Sequence, residues 1–126
     1  MNLFEECKAA LSADFNVLDG QALKEAIDSL NEYPFSRVGV VWSEMEFSDY
    51  ESINSLLNEN ILISDDVFVF ADDISIPVFR TKLSLIAENI YDVTALSPKL
   101  FIFNDEVILQ PLFPTERIRL GIKAKL

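Results

Sequence analysis

The chain has 126 residues, half of them apolar, and a formal net charge of −11; that length suits a single domain able to bury its own core, and the apolar content excludes a disordered acidic tail. No apolar run approaches the ~18 residues of a membrane span, and Met1-Asn2-Leu3-Phe4-Glu5-Glu6 lacks both the basic and the apolar region of a signal peptide. Histidine is absent, Cys7 is the only cysteine, and glycine occurs only at Gly20, Gly39 and Gly121, which excludes histidine-based triads and metal sites, internal disulfides, Cys-rich zinc sites and glycine-rich phosphate loops.

In chain order, Asn2 to Ala13 reads as a helix with Leu3, Cys7, Ala10 and Leu11 on one face and Asn2–Glu5 as a capping box. Cys7, on that apolar stripe and without a histidine, is read as packing rather than as a nucleophile. Asp19 caps a second helix running to Asn31, striped by Leu23, Ile27 and Leu30 and stopped by Tyr33-Pro34. Arg37 to Trp42 is short, apolar and β-branched, as a buried strand would be. Ser48-Asp49-Tyr50-Glu51 resembles a second capping box, opening a short helix that carries Ile53, Leu56 and Leu57. Val67 to Phe70 is a strand bracketed by acid pairs. Pro77 is expected in the first turn of a fourth helix reaching about Tyr91, with Leu83, Ile86 and Ile90 inward. Leu100–Phe103 and Val107–Leu109 form a hairpin across a polar turn, and Glu116–Ile122 alternates as a strand with one wet face. The expected architecture is α+β: short helices packed on a mostly antiparallel sheet of about five strands, residues 1–126 forming one domain.

Charge is unevenly placed. Residues 1–73 hold 16 of the 21 acids and three bases, while residues 74–126 hold five acids and seven bases. The 42 residues from Val38 to Phe79 contain no lysine or arginine, yet carry Glu44, Glu46, Asp49, Glu51, Glu59, Asp65, Asp66, Asp72 and Asp73. Such a segment either pairs with the basic carboxyl third or presents a negative field to solvent. The acid pairs at 65–66 and 72–73 are explained adequately as strand ends and turns. Taken together, the acids also suit a docking surface for a basic partner, because a complementary field accelerates encounter. Trp42, Phe47 and Tyr50 interleave with them; Phe47 is read as core, whereas Trp42 and Tyr50 suit either core or interface anchors. The seven cations of the carboxyl third are too thinly spread for nucleic-acid binding.

There is no EF-hand loop, and adjacent aspartates on a strand point to opposite faces. Catalytic carboxylates would have to converge from separate elements in a cleft, for which a short-looped chain leaves little room. The expectation is no enzyme, no catalytic residue, no cofactor and no metal.

The stretch Ala71-Asp72-Asp73-Ile74-Ser75-Ile76-Pro77-Val78-Phe79-Arg80, the turn Leu96-Ser97-Pro98-Lys99 and the segment Pro111-Leu112-Phe113-Pro114-Thr115-Glu116-Arg117-Ile118-Arg119-Leu120-Gly121, together with size and charge, resemble the small acidic immunity proteins of bacterial polymorphic toxins, in particular those of contact-dependent growth inhibition. The resemblance covers about a quarter of the chain. It implies a cytoplasmic protein that binds one cognate toxin C-terminal domain, often a nuclease, and blocks its active site or substrate path, with no catalytic residue to carry over and no direct contact with nucleic acid or membrane. The residues expected to meet the toxin are Trp42, Glu44, Glu46, Asp49, Tyr50, Glu51, Asp65, Asp66, Asp72 and Asp73. Two other classes compete with this reading: an acidic adaptor for a non-toxin partner, and a small carboxylate-dependent hydrolase.

Overall fold

Val67-Phe68-Val69-Phe70 and Leu100-Phe101-Ile102-Phe103 are apolar at every position, so strands built from them are greasy on both faces and need cover on both. The computed structural model, which describes residues 2–60 and 64–123, supplies that cover. Strand β1 (Phe15–Val17) follows helix α1 (Leu3–Ala10), and α2 (Gly20–Leu30) leads into a small hairpin of β2 (Phe35–Ser36) and β3 (Gly39–Val40). A 3-10 turn at Trp42–Glu44 precedes β4 (Glu46–Tyr50), α3 (Ile53–Glu59), β5 (Asp66–Ala71) and β6 (Phe79–Lys82). Helices α4 (Leu83–Glu88) and α5 (Ile90–Thr94) then lead to β7 (Leu100–Phe103), β8 (Val107–Pro111) and β9 (Ile118–Ile122).

Seven strands form one sheet in the order β1-β6-β5-β7-β8-β9-β4, every pair antiparallel, and β2–β3 stands apart. The class is α+β as expected, with seven strands rather than about five in the main sheet. On one face, Val67, Val69, Phe79, Leu100, Ile102, Leu109, Ile118 and Leu120 pack with Cys7 and Leu11 of α1, Ile53 and Leu56 of α3, Leu83 and Ile86 of α4 and Val93 of α5. On the other, Phe101, Phe103 and Ile108 meet Leu30, Tyr33, Val40, Trp42 and Met45, with Phe68 and Phe70 alongside. The first two helices therefore lie on opposite faces, with β1 between them.

Four expectations are corrected. Residues 37–42 are not a buried strand: Arg37 and Val38 are the exposed tip of the β2–β3 hairpin, turned by Gly39 at φ 131°, and Trp42 begins the 3-10 turn. Residues 48–50 lie in β4; the cap of α3 is Ser52, whose hydroxyl accepts the N–H of Ser55, because Ser48 is already held in the ladder opposite Leu120. Phe79–Lys82 is a strand, since Phe79 and Thr81 alternate inward while Arg80 and Lys82 alternate toward the other face. The Thr81 hydroxyl donates to the Asp14 carbonyl at 2.7 Å, which ties β6 to the turn before β1. The helical remainder breaks at Asn89 into α4 and α5. Finally, Phe47 is 43% exposed instead of core.

Gly121 lets the 3-10 turn close on the sheet. A Cβ there would lie 2.7 Å from the Trp42 ring and 2.8 Å from the Met45 methyl. Gly121→Ala is therefore expected to lower stability by about 1–3 kcal/mol, the usual cost of an overpacked site, read as a lower urea midpoint. Gly20→Ala meets no neighbouring atom and strains only a positive φ, so it should cost less, about 1–2 kcal/mol.

Candidate functional site: an acidic sheet edge

Strand β4 is the last of the sheet, so only one of its sides is hydrogen-bonded. Four of its five residues are exposed. Its partner register is Glu46 to Ile122, Ser48 to Leu120 and Tyr50 to Ile118. Glu46, Ser48 and Tyr50 thus point to the face covered by α1, α3, α4 and α5, and Tyr50 packs against that core. Phe47 and Asp49 point to the other face.

On that second face Arg119 of β9 organises the surface. Its guanidinium donates twice to Asp49, Nε at 2.7 Å and Nη2 at 3.0 Å. It also sits 4.7 Å from the Phe47 ring centroid and 5.4 Å from that of Trp42, and the two rings meet edge to face at 5.7 Å. The planar cation is held by two aromatic faces and a bidentate carboxylate, an arrangement open to arginine but not to lysine. The same contact keeps the Asp49 carboxyl below its ordinary range. Trp42 is accordingly half-buried: part of the core that covers Gly121, and part of the surface.

The ten nominated residues do not form one patch. Trp42, Glu44, Glu46, Asp49, Tyr50 and Glu51 gather on β4 and its flanks. Asp65, Asp66, Asp72 and Asp73 flank β5, four strands away or about 19 Å at ordinary strand spacing. The 65–66 and 72–73 pairs lie at opposite ends of β5, about 24 Å apart along an extended strand. The β5 acids have work inside the fold. Asp65 accepts the N–H of Ser84 at 3.0 Å and its hydroxyl at 2.7 Å, capping α4 from a neighbouring segment. Asp66 pairs with Lys82 at 2.9 Å and Arg80 at 2.7 Å, contacts that lower its pKa, Lys82 foremost. Asp73 accepts the Ser75 hydroxyl at 2.7 Å and its N–H at 2.9 Å in a local turn. The distal cations of the carboxyl third thus neutralise Asp49 and Asp66. Among the described residues, Glu44, Glu46, Glu51, Asp72 and Asp73 form no ion pair.

Two features escaped the sequence reading. Arg119 was visible only as one of the scattered cations, because its stacking partners Phe47 and Trp42 are more than 70 residues away in the chain. A cleft of about 740 Å³ also opens where β8 meets β9, walled by the α4–α5 junction, the β8–β9 loop and the start of α3, with Tyr91 and Phe113 exposed at its rim. The Tyr91 hydroxyl donates to Glu116 across it. Cys7, by contrast, is fully buried, and burial raises its thiol pKa to about 12, as packing requires. Among the described residues no group of three or more cysteines and carboxylates is placed to hold a metal ion, and none of the helices is long and apolar enough to cross a membrane.

An acidic α+β protein built on a seven-stranded antiparallel sheet, with one open sheet edge that carries exposed carboxylates, is the class these features define. A family model described as CdiI immunity protein, EcoliA0-like, matches residues 1–121, and the chain belongs to that family of contact-dependent growth inhibition immunity proteins. No curated protein matches it.

The Asp49–Arg119 pair has a pH signature. Its lowered carboxyl pKa means that its stabilisation is complete above the unfolded-state value of about 3.9 and disappears as pH falls through the lower folded-state value. Asp49→Asn should cost about 0.5–1 kcal/mol at pH 7. In urea titrations the parent and variant midpoints should converge as pH falls below the ordinary aspartate value; a gap that stays constant with pH would contradict the assignment.

Proposed function

We propose that this protein is a stoichiometric, non-enzymatic inhibitor that works in the cytoplasm, binding the C-terminal domain of one cognate toxin and neutralising it through its acidic surface. Membership of the immunity family carries the reading. The surface chemistry supports it: among the described residues Glu44, Glu46 and Glu51 form no ion pair and lie on an exposed segment, beside aromatic side chains of the type that anchor interfaces. A nuclease toxin is the partner this chemistry suits best, since an enzyme that grips phosphates carries cations around its active site. Barnase–barstar is an established case of such charge-steered inhibition and is analogous in charge, not in fold.

Within this reading the β4 residues make the principal contact: Trp42 and Phe47 as apolar anchors, Glu44, Glu46 and Glu51 as partners for toxin lysines and arginines, and Asp49 through its Arg119 pair. Tyr50 is turned into the core and serves mainly to hold the strand. Asp65, Asp66, Asp72 and Asp73 contribute to the negative field from a distance.

Co-expression with the product of the gene immediately upstream tests the proposal. Stoichiometric co-purification and protection of the host are expected; neither capture nor protection would send the protein to the adaptor class. Reversing Glu44, Glu46 and Glu51 to lysine should slow association at low salt by roughly tenfold or more and flatten its salt dependence, measured by stopped flow or surface plasmon resonance. Unchanged rates would remove the acidic edge from the mechanism while leaving the inhibitor reading intact.

A further inference from the structure

The open edge of β4 carries more than charge. In an antiparallel sheet, successive residues of an interior strand bond alternately to its two neighbours. The Lys123 N–H donates to the Glu106 carbonyl and the Leu112 N–H to the Arg117 carbonyl, both between β8 and β9 or just beyond. Odd-numbered residues of β9 therefore face β8, leaving Ile118, Leu120 and Ile122 to bond β4. Their register partners are Tyr50, Ser48 and Glu46. The main-chain N–H and C=O groups of Phe47 and Asp49 consequently point outward from the sheet, and among the described residues no backbone group beyond the sheet ladder meets them.

Exposed strand edges are ordinarily guarded by lysine, by proline or by a bulge. Strand β4 has none of these: its pairing with β9 is unbroken over five residues, and its own charges are Glu46 and Asp49. Those charges select the visitor. A second copy would bring Glu44, Glu46 and Glu51 beside the same three acids. An extended segment bearing lysine or arginine would find Glu46 on one face of the strand, Glu44 and Glu51 at its ends, and Phe47 on the other face. The opposite edge of the sheet, β1, is only three residues long, and β6 places the Arg80 guanidinium against its Asn16, so it offers neither length nor the right sign.

We infer that β4 docks a basic, extended segment of the partner by strand addition, with the outward backbone groups of Phe47 and Asp49 taking its main-chain hydrogen bonds and the flanking glutamates taking its cations. The inference rests on the inhibitor reading and specifies its geometry. Strand addition gives affinity through the backbone and selectivity through side chains.

Amide hydrogen exchange, followed by NMR on the full chain alone and in complex with the upstream gene product, separates the possibilities. In the free protein the amides of Ser48 and Tyr50 should be protected and those of Phe47 and Asp49 should exchange fast. In the complex the latter two should slow by at least a hundredfold. Phe47→Pro, which removes the outward N–H that Phe47→Ala keeps and restricts the backbone only at residues 46 and 47, should remain folded by circular dichroism and bind at least tenfold more weakly than Phe47→Ala. A complex that forms while both amides stay fast, or equal binding by the proline and alanine variants, overturns strand addition and spares the inhibitor reading. Absence of any complex with the parent overturns both. Protection of the two amides in the isolated protein at high concentration, with a dimer in sedimentation, would assign the edge to a second copy and overturn the basic partner.

Discussion

Everything in this molecule follows from a sheet whose central strands are apolar on both faces. With Val67 to Phe70 and Leu100 to Phe103 at its middle, a single layer of helices would leave a row of phenylalanines in water. The chain therefore crosses from α1 on one face through β1 to α2 on the other, and recruits the β2–β3 hairpin and Trp42 to finish the second layer. Buried polar groups fall into line with this. Tyr33, beneath α2, donates its hydroxyl to the Asn104 carbonyl at 2.7 Å, and Asn104 in turn accepts the N–H groups of Glu106 and Val107, closing the β7–β8 turn. Burial, with Asp105, Glu32 and Glu106 nearby, raises the pKa of Tyr33 and keeps it a donor.

Coverage declines from the middle of the sheet outward. At β9 the second face is met by Trp42 and Met45, which fit because Gly121 has no side chain. At β4 Arg119 lies on Phe47 and Trp42. On this second face the helical cover thus thins toward the β4 edge.

How far the sequence could be read follows the same gradient. Strands β5, β7, β8 and β9 were legible because burial imposes apolar runs or strict alternation, and the cap at Asn2 was legible because its side chain accepts the Glu5 N–H three residues on; Asp19 does precede α2, but its side chain makes no capping hydrogen bond. Strand β4 was not, since both its faces are wet and nothing in Glu46-Phe47-Ser48-Asp49-Tyr50 alternates in hydropathy; a chance Ser-to-Glu spacing then suggested a cap. Strand β6 was hidden because a proline two residues earlier and a genuine helix immediately after it favoured one long helix. Of the nominated contact residues, those on β4 and its flanks do gather. The β5 acids could not be placed from sequence, because whether an aspartate caps, pairs or faces solvent depends on Ser84, Lys82 and Arg80, which only tertiary structure brings near.

The wet edge also separates two kinds of inherited information. Within residues 44–51, Met45 and Tyr50 pack on the core and Asp49 is clasped by Arg119, but Glu44, Glu46, Ser48 and Glu51 are exposed and can be rewritten without repacking the interior. Substitutions at those positions change the charge and shape of the edge one side chain at a time, at little risk to folding. The apolar sheet behind it is locked on both faces and admits no such freedom.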